Sequence, residues 1–158
     1  MDAALTQTLR ELVLGRAVAA LGTLHSGEAF VSMVAYALYG EDHDFLIHVS
    51  ALAPHTRDML AHARVSLLIS APEGGGIAPQ ALPRLSVQGD AHPLARDSSA
   101  YAAAKATYLA RFAEAAQMFE LADFSLFAIH PVSLRFVAGY GQAFSPAPVV
   151  LARALDGT

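Results

Sequence analysis

The chain has no cysteine and no tryptophan among its 158 residues. Without thiols it can form no disulfide, thiolate nucleophile, iron–sulfur cluster or cysteine-ligated zinc site. Cations are also scarce: ten Lys and Arg against fourteen Asp and Glu leave a formal charge of −4, and the basic residues are scattered. Surfaces that bind nucleic acid or anionic membranes need clustered cations, so neither is expected as a partner. Any basic function has to be local, such as one or two arginines gripping one phosphate. Aromatics make up 8% of a chain that is 54% hydrophobic, and alanine carries much of the excess. No apolar run approaches membrane-spanning length. Residues 12–24 are interrupted by Arg16 and follow Asp2, Arg10 and Glu11, unlike a secretory leader. The expectation is one cytoplasmic domain over residues 1–158, large enough to bury a core.

Reactive motifs are equally sparse. There is no Gly-x-Ser-x-Gly elbow for acyl transfer and no His-Glu-x-x-His pair for metal-assisted hydrolysis. Asp42 and Asp44 lie in a turn, and Glu114 and Glu120, six apart, fall on different faces of a helix, so no glycosidase-type carboxylate pair is expected. His48, His55 and His62 recur every seven residues, but His48 falls on a strand, and no metal site is expected from this set. The glycine run 74–76 lacks a following helix and a Lys-Ser/Thr pair, and Pro79 and Pro83 interrupt, which excludes a phosphate-cradling loop. A chain so poor in acid–base groups suits a borrowed reactive group, meaning a cofactor. We assign no catalytic side chain.

What is present is strand and helix patterning. Leu5, Leu9, Leu12 and Val13 at helical spacing predict an amphipathic helix over 2–15. Strands are predicted over 17–24, 29–39, 45–49, 65–70, 84–91, 123–130 and 133–137, the last two split by Pro131. Further helices are predicted over 54–62, 98–111 and 113–121, with a short apolar segment over 149–155. This order gives an α+β fold, a six- to seven-stranded antiparallel barrel with peripheral helices. The stretch from Phe45 to Leu60 carries the chemistry. A strand breaks at Ser50 and restarts as a helix with His55, Thr56 and Arg57 in its first turn. Unpaired N–H groups and the positive end of the dipole suit an anion there, and the competing reading is an ordinary surface helix.

Several segments together resemble the pyridoxamine 5′-phosphate oxidase-like FMN-binding split β-barrels. They are the strand from Phe30 to Tyr36, the stretch from His48 to Leu60 and the strand from Arg64 to Ile69. The segments 84–91, 108–112 with 123–124, and 135–143 narrow the resemblance to the subgroup related to haem utilisation. It covers about Leu12 to Ala143. The resemblance implies a homodimer with FMN in a groove between two barrels. Ser50, His55, Thr56 and Arg57 match the segment that holds the FMN phosphate. Ser32, Met33 and Val34 match the strand along the flavin ring and ribityl chain, and Arg84 and Gln88 the strand that completes the groove. The implied function is an FMN-dependent oxidoreductase acting on an unidentified small molecule; the alternative is a flavin- or haem-binding protein without turnover. Two departures refine this. Family members that oxidise pyridoxamine phosphate carry basic residues where this chain has Ser32 and Ala37, which argues against that substrate. Haem-degrading members carry a haem-ligating histidine in a C-terminal region, whereas no histidine follows Ala143 here. The family's usual haem ligation is therefore not expected.

Overall fold

The structure is a computed structural model that describes residues 1–157. Helix α1 (Ala3–Gly15) starts where the Asp2 carboxylate accepts from the Leu5 N–H at 2.9 Å, and it buries Leu9, Leu12 and Val13. Strands β1 (Val18–His25) and β2 (Glu28–Ala35) form a hairpin across Ser26 and Gly27. Both turn residues have positive φ, the twist a two-residue hairpin needs. Strands β3 (Ala37–Tyr39) and β4 (Asp44–Ser50) make a second hairpin, which leads into helix α2 (Pro54–Ala61). Strands β5 (Arg64–Ser70), β6 (Arg84–Pro93), β7 (Phe124–Gly139) and β8 (Gln142–Phe144) follow, with α3 (Ser99–Arg111) before β7 and α4 (Pro148–Asp156) last.

All strand pairs are antiparallel, in the order β2-β1-β5-β6-β7-β4-β3, with β8 added beside β7. Seven strands thus form the main path and a three-residue eighth extends it, in an α+β fold whose sheet does not close. The two edge strands, β2 and β3, are consecutive in sequence and joined by Tyr36 alone. One predicted strand, 29–39, is therefore two. Tyr36 is fully buried at the break and its hydroxyl donates to the Val13 carbonyl at 2.6 Å, which turns the chain from one edge of the sheet to the other.

The main core lies inside the curved sheet, around Leu21, Phe45, Ile47, Val87, Phe127 and Phe136, capped by α1 and α4. A second, smaller core on the opposite face of β4 and β7 packs Leu46, Leu126 and Ala128 against Tyr108 of α3 and Phe119 of the 3₁₀ turn over 113–120. Among the described residues no helix is long and apolar enough to cross a membrane.

The expected split of 123–137 at Pro131 does not occur, because β7 is one strand of 16 residues. Pro131 stands opposite Gly89, where the β6–β7 register shifts, so its missing N–H falls at a bulge and not in a regular ladder. Gly89 is required there: a Cβ would lie 2.6 Å from the His130 carbonyl oxygen and 2.8 Å from Ile129 Cγ2. Gly89→Ala is expected to lower stability by roughly 1–3 kcal/mol through overpacking. Chemical denaturation reads this directly, and an unchanged midpoint would show that the bulge relaxes freely.

His48 sits in the smaller core, its ring stacked on Phe119 with centroids 3.7 Å apart and planes 5° from parallel. Tyr108 and Phe124 flank it, and its Nε2 is buried without a partner. Burial, reinforced by the nearby charges of Arg96 and Lys105, pushes its pKa from 6.5 to about 4. The folded state therefore resists protonation more than the unfolded chain does. The stability this contributes is present above pH 6.5 and is lost as pH falls from 6.5 through about 4. Thermal melts of the wild type and of His48→Phe across that range should diverge, with the wild type losing more. Parallel curves would contradict this role for His48.

Candidate functional site

The site is built where α2 meets the first hairpin. On β2, side chains alternate: Ser32 and Val34 turn toward the core, while Val31 and Met33, each 67% exposed, point outward. The inward Ser32 hydroxyl meets His55 Nδ1 at 3.0 Å, which ties the edge strand to the first turn of α2. His55 is half-buried, and burial lowers its pKa, opposed by the negative charge of Asp58. Burial therefore favours the neutral ring in the ligand-free protein.

Helix α2 begins with Pro54 in its first turn and no side-chain cap. Proline fits this position because the missing N–H would be unpaired in any case. Thr56 is buried, and its hydroxyl donates to the Ser50 carbonyl at 2.6 Å. The Ser50 hydroxyl donates to Asp123 Oδ2 at 3.1 Å and accepts from the Leu52 N–H at 3.1 Å. Each hydroxyl has one proton, and both are committed to bracing the strand-to-helix turn. Arg57 differs. It is exposed and, among the described residues, makes no hydrogen bond or ion pair. The donor set suited to a phosphate is therefore the free guanidinium of Arg57 and the ring of His55, with Ser32 behind it.

Sequence reasoning missed the acid beneath this turn. Asp58 is only 4% exposed, yet it lies one helical turn after His55 and beside the buried Met59. Its Oδ2 accepts from the Thr23 hydroxyl at 2.7 Å, and its Oδ1 meets His25 Nδ1 at 2.7 Å. Burial alone would raise its pKa. The bonds from Thr23 and His25, with the charges of His25 and His55, outweigh that and hold the carboxyl below its usual range. The available signal was an acidic residue placed by helical periodicity on the core-facing side of α2.

The remaining predicted residues lie apart from this cluster. Arg84 donates to the carbonyls of Gln80 and Leu82, both at 3.1 Å, and so holds its own preceding turn. Gln88 accepts from the Ser133 hydroxyl at 2.9 Å on the outer face of the sheet. The register places Val31, Gly22, Ser66, Gln88 and Ser133 in one row across that face. The adjacent row runs Met33, Ala20, Leu68, Ser86 and Arg135. Small residues between Val31 and Gln88, which stand about three strand spacings or 14 Å apart, leave a shallow trough. Val34 is buried, so its side chain is core and only its backbone could meet a ligand. The nine predicted residues thus separate into a turn cluster (Ser32, Ser50, His55, Thr56, Arg57), an outer face (Met33, Gln88), and the inward Val34 and self-occupied Arg84.

Comparison with known proteins agrees with this architecture. The sequence profile of the pyridoxamine 5′-phosphate oxidase family matches residues 5–138. The chain is 36% identical over 101 residues to the chloroplastic non-canonical haem oxygenase HOZ of Arabidopsis thaliana, covering 63% of this chain and 29% of that protein. Among solved structures, a haem-binding protein from Mycobacterium smegmatis superposes with a TM-score of 0.84 at 27% identity, over 96% of this chain and 61% of that one. The haem storage protein HutZ from Vibrio cholerae superposes with a TM-score of 0.71 at 26% identity, over 78% and 87%. The chain therefore spans less than a third of the length of the Arabidopsis protein and about three-fifths of the mycobacterial one.

Proposed function

The chain belongs to the pyridoxamine 5′-phosphate oxidase family, and from that premise we propose that it is an FMN-binding flavoprotein acting as an oxidoreductase on a small molecule. The observation that carries this reading is the Ser32–His55 bond, with the unpaired Arg57 two residues further along α2. It draws together the strand and the helix turn that the family resemblance assigns to the two ends of the flavin nucleotide. Arg57 and His55 would hold the phosphate, and Ser32 would orient His55. Ser50 and Thr56 would act one step back, by fixing the turn through their own bonds. Bound there, FMN would supply the electron- and hydride-accepting chemistry that the side chains lack.

The outer face suits the flavin ring and a second copy of the chain. Val31 and Met33 expose apolar surface beside a trough of small residues that also carries Gln88. A homodimer pairing these faces would enclose the ring between two barrels. Light scattering is expected to give twice the chain mass.

The test of catalysis is anaerobic reduction of the FMN-loaded protein by NADH or NADPH, followed by oxygen. Repeated reduction and reoxidation supports the oxidoreductase. The names of the relatives favour a second reading, a haem-binding protein of the same fold. A Soret band on haem titration, with no flavin retained and no turnover, would select that reading.

A further inference from the structure

We propose that Asp58 is a positioning residue of the phosphate site: it stabilises the proton that His55 takes up when a phosphate monoester binds beside Arg57. This rests on the FMN reading above and adds to it a residue that neither the family resemblance nor the sequence brought forward.

The geometry has three parts. First, the Ser32 hydroxyl at His55 Nδ1 can donate to a neutral ring or accept from a protonated one, so the 3.0 Å contact survives a change of charge. A carbonyl or an ammonium in its place would fit one state only. Second, Asp58 is buried and lies on the same helix, three residues after His55, close enough for each group's charge to act on the other. Third, Thr23 and His25 hold both carboxylate oxygens in place from β1, so Asp58 cannot swing away. The charged group that acts on His55 is Asp58 on its own helix, with His25 facing Asp58 from the hairpin; Ser32 on β2 is neutral.

In the ligand-free protein burial outweighs Asp58, and His55 is held below the ordinary imidazole range. A phosphate dianion placed at the turn adds two negative charges to the one that Asp58 supplies. Together they overcome burial, and the ring becomes an imidazolium. Binding and protonation are then linked: a proton leaves solvent for His55 as the anion docks, and affinity falls as pH rises.

Calorimetry of FMN binding to the whole protein at pH 7.5, in phosphate-free buffers of different ionisation enthalpy, reads this proton count. At that pH the FMN phosphate is already a dianion, its second pKa being about 6, so uptake cannot come from the ligand. The expected result is net proton uptake on binding FMN, and none for riboflavin, which lacks the phosphate. His55→Gln should abolish the uptake, and the near-isosteric Asp58→Asn should reduce it and shift the pH dependence of affinity downward. Asp58→Glu, which keeps the charge, should restore it. FMN binding without proton uptake, or uptake unchanged in His55→Gln, overturns the linkage while leaving the FMN reading intact. Absence of any FMN binding overturns both. If the Asp58 variants do not fold, the His55 ring proton shift of the wild type, titrated with and without FMN, decides: an unmoved midpoint refutes the proposal.

Discussion

Arg57→Ala is expected to weaken FMN binding by roughly 1.5–3 kcal/mol, the contribution of a hydrogen bond to a charged group. That is about a 10- to 150-fold rise in Kd. The expectation rests on an asymmetry within the turn. Thr56 and Ser50 have their hydroxyl protons engaged, and Asp58 is engaged by Thr23 and His25, whereas Arg57 is exposed and carries no partner. An exposed, unengaged guanidinium does nothing for the fold, so its removal should leave the melting temperature nearly unchanged. The loss should also depend on the phosphate: riboflavin, if it binds at all, should be indifferent to the substitution. Arg57→Lys should recover only part of the affinity, since an ammonium keeps the charge and loses the two-pronged donor geometry. FMN affinity equal to wild type in Arg57→Ala would remove this residue from the site.

Asp58→Ala is expected to cost roughly 3 kcal/mol of stability, the sum of two charge-assisted hydrogen bonds at about 1.5 kcal/mol each. For a chain of this size that is a fall of about 6–12 °C in melting temperature. The carboxylate joins α2 to both Thr23 and His25 of β1, at 2.7 Å each. Without it the buried Thr23 hydroxyl has no acceptor among the described residues, and α2 is left held to the sheet by the Ser32–His55 and Thr56–Ser50 bonds and by the packing of buried Met59. There is also a pH signature. A carboxylate held below its usual range contributes stability that is complete above the unfolded Asp value near 3.8 and is lost as pH falls below it. The gap between wild type and Asp58→Ala, followed by denaturation at several pH values, should therefore be full at pH 6 and narrow in acid below the unfolded value. A gap independent of pH would mean that packing, not the charge, sets the cost.

Much of the fold was legible because periodicity reports which face of an element is buried. The helix over 2–15, the hairpin of β1 and β2, and the strand-to-helix break after Ser50 all follow from local pattern and turn chemistry. The failures have tertiary causes. Pro131 reads as a strand breaker, and nothing local reveals that it would face Gly89 at a bulge. The break at Tyr36 depends on a buried bond to Val13, a residue 23 positions earlier. At the site, residue types were legible and roles were not. Ser50 and Thr56 look like phosphate donors until the partners of their protons are known, and Asp58 looks like surface charge until its burial is seen. Val34 and Met33, adjacent in sequence, face opposite sides, so only one can offer a side chain to a ligand.

FMN binding is read most simply by incubating the purified full chain with FMN, removing free ligand, and recording the visible spectrum of the protein with mass spectrometry of whatever it releases. A yellow protein that retains about one FMN per chain is expected, with a parallel riboflavin sample that retains far less, since the grip is on the phosphate. A protein that emerges colourless, with no FMN released on denaturation, would contradict the FMN reading.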